Sequence, residues 1–209
     1  NYVDHDPGPG TADFSCGPMS YDTHKGTDFA LPSLAAMAGG VDVLAAAPGT
    51  VRAVRDGEPD IAQTGPDAPD VSGKECGNGV VISHGDGWET QYCHMAQGSI
   101  AVAAGDRVVI GTVLGQVGLS GQTQFPHLHL AVRQNGDVVD PFAPDSVTTC
   151  GDDPQEVLWS PEIAAPAGGI VATGFATAVP SYDAILAGEA AAPGIATDDP
   201  ALVFWALAF

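Results

Sequence analysis

A chain of 209 residues, 44% hydrophobic and 15% charged, is long enough for one sizeable core and a smaller second unit. Six Lys+Arg against 26 Asp+Glu give a formal net charge of −20, which excludes phosphate backbones and anionic membrane surfaces as natural partners, so no nucleic acid is expected. No run of about 18 apolar residues occurs, so no membrane span is expected.

Gly 27 and Pro 17 are high counts, and short Val/Ile-rich runs alternate with Gly/Pro/Asp turns. The pattern predicts a mainly β protein with few short helices. In chain order, residues 1–20 are turn-rich and predicted irregular, with His5 reading as a surface residue. TDFAL (27–31) alternates as a strand, and LPSLAAMAGG holds one helical turn ended by Gly39-Gly40. VDVLAAAPGTVRAVRDG reads as two short strands around Pro48-Gly49, and residues 56–77 read as a long loop walling a groove. NGVVIS and WETQYC read as a hairpin, with His84 a solvated residue of the turn and Asn78-Gly79 turn chemistry. Short strands continue through GDRV, GTVLGQVG and HLHLAVRQ, and Asn135-Gly136 marks a tight hairpin turn.

A boundary is expected between Pro141 and Pro154. Residues 151–209 then read as an all-β accessory module, free of His, Cys, Lys and Arg and closing abruptly on ALVFWALAF as though truncated. The division is thus 1–20, an irregular segment; 21–150, the main domain; and 151–209. The chain opens on Asn1 rather than Met, so processing or trimming of a longer chain is expected.

Four cysteines without a Cys-x-x-Cys suit an oxidising compartment. Closing the 78–93 hairpin brings Cys76 near Cys93, which leaves Cys16 for Cys150.

The run GQTQFPHLHLAVRQNG places His127 and His129 two residues apart. Side chains i and i+2 of a strand share a face, so both imidazoles look the same way. In YDTHKGTDFAL, a turn running into a strand can converge His24 and Asp28 on one point. With one of His127 and His129 they complete the three N/O ligands of a hydrolytic zinc site. His94 ends a strand and can sit beside such a metal with the other histidine, to move protons. Tyr92 alternates with His94 and is a candidate substrate contact on the same face. Trp88 and Phe125 read as core or groove wall. The residues alone do not decide between His127 and His129 as the ligand.

HKGTDFA, GNGVVISHGDGWETQYCHM and GLSGQTQFPHLHLAV together resemble the motifs of the lysostaphin/LytM family of zinc metalloendopeptidases, over roughly residues 20–142. The resemblance implies a β-rich, LytM-type core of antiparallel sheet with its site in a groove, one Zn2+ per chain and cleavage of peptide bonds in bacterial peptidoglycan. It implies His24, Asp28 and His129 as zinc ligands and His94 and His127 as the catalytic pair. A secreted or periplasmic monomer acting on peptidoglycan peptides is expected. Two departures are small: Cys93 fills a variable position, and Met95 stands where Leu is usual. The competing expectation is a non-catalytic LytM-like module regulating other wall hydrolases, which the intact set of five disfavours. The runs APGTVRAV and GDRVVIGTVLGQVGLSG also look like the hairpins of biotinyl/lipoyl carriers, but neither Lys25 nor Lys74 lies at a hairpin tip.

Overall fold

The computed structural model describes residues 1–66, 68–152, 157–160, 163, 165–166 and 168–208. Its strands are β1 (Thr27–Ala30), β2 (Asp42–Leu44), β3 (Gly49–Arg55), β4 (Asn78–Gly85), β5 (Trp88–Met95), β6 (Arg107–Val108), β7 (Val113–Gln116), β8 (His127–Gln134), β9 (Asp137–Val139), β10 (Ile170–Ala176) and β11 (Val203–Ala208). Two short helices join them, α1 (Leu34–Ala38) and α2 (Tyr182–Ala187). The fold is mainly β, as expected.

One seven-stranded antiparallel sheet runs β1-β8-β5-β4-β3-β6, with β9 paired to the end of β8. The two-stranded sheet β2-β7 lies apart from it. Alternation drives the packing. Val80 and Ile82 of β4, Tyr92 of β5 and Leu130 of β8 point into one core with Val43, Leu114 and Val117. The opposite face of β8 then carries His127, His129, Ala131 and Arg133. Pairing in register sets Asp28 of β1 and Cys93 of β5 opposite His129. The site is therefore built on β8, which is flanked by β1 and β9 on one side and β5 on the other.

Turn chemistry follows the sequence. Asn135 and Gly136 have φ of 54° and 93°, as a two-residue turn with both central residues left-handed requires. Ser33 caps α1 by accepting from the Ala36 N–H, and Gly39 ends it.

The disulfides are Cys76–Cys93 and Cys16–Cys150, as expected. The second lies near a smaller aromatic cluster. Tyr2 meets Phe14 edge-on, Phe14 stacks on Phe142, and Trp159 packs against Phe142 and Phe29.

Four expectations need correction. His5 is not at the surface but 2% exposed, because Asp140 and the Thr149 carbonyl together replace the water it would lose. Asn78 is not a turn residue but opens β4 fully buried, its amide donating to the Glu58 and Met95 carbonyls. His84 lies within β4, not in a solvated turn, and its two nitrogens meet the Pro48 carbonyl and Thr90 Oγ1. The segment 151–209 is not all β: among its described residues α2 sits between β10 and β11, capped by Ser181 and ended by left-handed Gly188.

His5 yields a stability prediction. Thr149 O and the Asp140 carboxylate both accept, so both ring nitrogens donate and the ring is an imidazolium. Burial pushes its pKa down, but the bonds to Asp140 and Thr149 outweigh it and raise the pKa above the usual value. A raised folded-state pKa gives stability that is complete below about pH 6.5 and is lost as pH rises through the folded value. His5→Ala, which strands the buried Asp140 carboxylate, is expected to cost about 3–5 kcal/mol at pH 6 and less at pH 9, read by urea unfolding at both.

Candidate metal centre and active site

Three side chains from two neighbouring strands and the turn before them meet at one point. His24 Nε2 lies 3.1 Å from Asp28 Oδ1 and 3.1 Å from His129 Nδ1, and His129 Nδ1 lies 2.9 Å from Asp28 Oδ1. His24 and Asp28 are buried, and His129 is half-buried. The Nδ1 of His24 points the other way and donates to the Tyr2 carbonyl. Its Nε2 therefore presents a lone pair to the centre. Three donor atoms in mutual contact with few protons to share make poor hydrogen-bond partners and a good cation cradle. Their edges of 2.9–3.1 Å are close to the edge of about 3.3 Å that a tetrahedral zinc with bonds of about 2.0–2.1 Å imposes. The residues fit zinc, with one face left open.

The centre is electrostatically primed for a cation. Burial pushes the Asp28 carboxyl up, but the close His127, His129 and His24 imidazoles around it outweigh that and hold it far below the usual carboxylate range.

His94 and His127 stand beside this triad, their ring centroids 4.7 Å apart. His127 Nε2 is 3.5 Å from Asp28 Oδ1. Each ring is held from behind: His94 Nδ1 donates to the Ser120 carbonyl at 2.8 Å, and His127 Nδ1 to the Phe125 carbonyl at 2.9 Å. Both Nε2 atoms are thereby acceptors facing the cleft. Phe125 stacks on His127, and Tyr21 stacks on His24. Burial, then the neighbouring His127 imidazole, push His94 down to about 4, so it is neutral at ordinary pH. Its backbone is left-handed, at φ 61°, a conformation that non-glycine residues adopt at a cost of about 1–3 kcal/mol.

That strain corrects one expectation. Regular alternation puts Tyr92 and His94 on the same face, but the left-handed turn at His94 swings its ring across to the cleft. Tyr92 stays in the core, 1% exposed, its hydroxyl accepting from the Ala46 N–H. It does not line the cleft.

The cleft has a volume of about 1010 Å³. His94, His127 and His129 lie on its floor, and Gln63, Asp70, Val71 and Glu75 of the 56–77 loop form a wall. The loop is thus a groove wall, as expected. The backbone carbonyls of Tyr2, Ser120 and Phe125, which hold the three imidazoles, carry no residue signature; only Ser120, in the GLSG run, has a sequence cue.

The sequence profile of Peptidase family M23 matches residues 22–141, more than half of the chain. The chain belongs to this family. Among curated members, the DD-carboxypeptidase/endopeptidase Mpg of Neisseria meningitidis is 42% identical over 67 residues, covering 32% of this chain and 15% of the relative. The cell division protein DipM of Caulobacter vibrioides is 35% identical over 68 residues, 32% of this chain and 11% of the relative. The matches thus span under a sixth of either protein. Among solved structures, a mutant catalytic domain of the prophage-encoded M23 protein EnpA from Enterococcus faecalis is 28% identical, with a TM-score of 0.46 over 69% of this chain and 98% of that one. The catalytic domain of lysostaphin from Staphylococcus simulans is 20% identical, with a TM-score of 0.46 over 68% and 86%.

The packing behind the candidate metal centre is a point to test. A Cβ on Gly26 would lie 2.6 Å from His129 Nε2 and 2.7 Å from the Leu130 carbonyl. The carbonyl is in the sheet and cannot yield, so His129 must. Gly26→Ala is expected to weaken zinc affinity by about 10–100-fold, read by competition with a chromogenic chelator.

Proposed function

We propose that this chain is a zinc-dependent endopeptidase that hydrolyses peptide bonds in bacterial peptidoglycan, working outside the cytoplasm as a monomer. The observation that carries the reading is the convergence of His24 Nε2, Asp28 Oδ1 and His129 Nδ1 beside two imidazoles whose free nitrogens face the same open cleft. Family membership supports the peptidase class, and the two disulfides support an oxidising location.

His24, Asp28 and His129 would hold the metal. Zinc bound there supplies a Lewis acid that polarises the scissile carbonyl and acidifies water to a pKa of about 7. The protein's own groups do the rest. An Nε2 of the histidine pair takes the water proton, and His127, the nearer to Asp28, is best placed for it. The imidazolium so formed faces the developing oxyanion and lowers its energy. The same proton then passes to the leaving amine. His94, neutral and held by Ser120, stays an acceptor that aligns the attacking water.

The alternative, a non-catalytic envelope module, has no use for two further imidazoles held tautomerically fixed over the centre. Mass spectrometry of fragments released from purified peptidoglycans of two cross-link types tests the proposal. New amine ends that vanish in His127→Ala protein support it and name the bond. No release from either wall by zinc-loaded protein refutes it.

A further inference from the structure

We propose that Arg133 and Gln91 form a carboxylate-binding subsite in the cleft that sets where along the substrate peptide cleavage falls; the inference rests on the peptidase reading above. Arg133 shares the cleft face of β8 with His127 and His129, and it lines the same cleft. It lies four strand positions beyond His129, a span of about 13 Å. Its Nη1 donates to Gln91 Oε1 at 2.7 Å, and the Gln91 amide donates in turn to Cys76 Sγ at 3.4 Å. The guanidinium is thus aimed by a side chain that is itself held against the Cys76–Cys93 disulfide.

Of the six Lys and Arg residues, two are ion-paired among the described residues; Arg133 is not, and unlike Lys25, Arg55 and Arg107 it lines the cleft. Arg52 pairs with Glu89 at 2.8 Å and Lys74 with Glu58 at 2.8 Å. Glu89 is the residue directly across the ladder from Arg133, yet it is bonded to Arg52. Among the described residues no carboxylate pairs with Arg133, whose one partner is the neutral Gln91. Gln91 occupies a single Nη, which leaves the rest of the planar fork to grip a carboxylate through two hydrogen bonds. Asp70 and Glu75 line the same cleft and would repel a carboxylate placed against them, which leaves the Arg133 fork as its favourable position. Since an extended peptide advances about 3.3 Å per residue, the bound carboxylate lies about four residues from the scissile bond.

Cross-linked stem-peptide dimers isolated from peptidoglycan are the probe, in three forms: carboxylates free, only the chain-terminal carboxylates amidated, and all amidated. Affinities are measured by calorimetry on zinc-loaded His127→Ala protein, with and without Arg133→Met, and kcat/KM on protein with His127 intact. The free-acid dimer is expected to bind about 10–100-fold more tightly than the fully amidated one, and Arg133→Met is expected to collapse that ratio to about one. The partly amidated form assigns the carboxylate to a chain end or a side chain. The loss should appear in KM rather than kcat, and Arg133→Lys should restore only part of the ratio, because an ammonium lacks the fork. No preference in the parent, a preference that survives Arg133→Met, or no binding of any form overturns the subsite. A preference lost with Arg133→Met, but no cleavage of any form, keeps the subsite and overturns the peptidase reading.

Discussion

Asp28→Ala is expected to abolish zinc binding and peptide hydrolysis together. No other side chain in the centre meets as many partners. A single oxygen, Oδ1, lies 3.1 Å from His24 Nε2, 2.9 Å from His129 Nδ1 and 3.5 Å from His127 Nε2. Its loss removes one of three ligand atoms and the one negative charge that offsets a dication. The affinity loss should exceed the roughly 10–100-fold typical of outer-shell changes. Zinc per chain after dialysis, read by plasma mass spectrometry, checks it, and His129→Ala should behave alike. An Asp28→Ala protein that is metal-free yet active would overturn the ligand assignment. Its fold should survive, because Asp28 contributes a cleft-facing side chain to β1 while Thr27 and Leu130 carry the inward packing.

His127→Ala should give the opposite pairing of results: about one zinc per chain and kcat lower by about 10²–10⁴-fold. The ring donates to the Phe125 carbonyl and offers Nε2 to the cleft, and His24, Asp28 and His129 remain to close the metal triangle without it. Circular dichroism unchanged, zinc retained and turnover lost is the expected triple. Zinc lost with His127 would instead make it a ligand and reassign His129.

Much of this site was legible in the chain because it sits on regular elements. The His-x-His spacing in a strand put His127 and His129 on one face, and the 78–93 hairpin brought Cys76 to Cys93. What failed did so where local rules were overridden. The left-handed residue His94 breaks the alternation that would put Tyr92 on its face. His5 finds Asp140 across 135 residues, a pairing no local pattern encodes. Helix α2 carried its cues, Ser181 and Gly188, but alanine- and glycine-rich surroundings masked them. The register that sets Asp28 beside His129 comes from pairing between strands about a hundred residues apart, and only the folded sheet displays it.

Titrating zinc into chelator-stripped protein while recording new amine ends from purified peptidoglycan tests the central claim most directly. Release should rise in proportion to zinc and level off at one ion per chain. Release that persists without metal, or a saturated site that frees no amine, would contradict it.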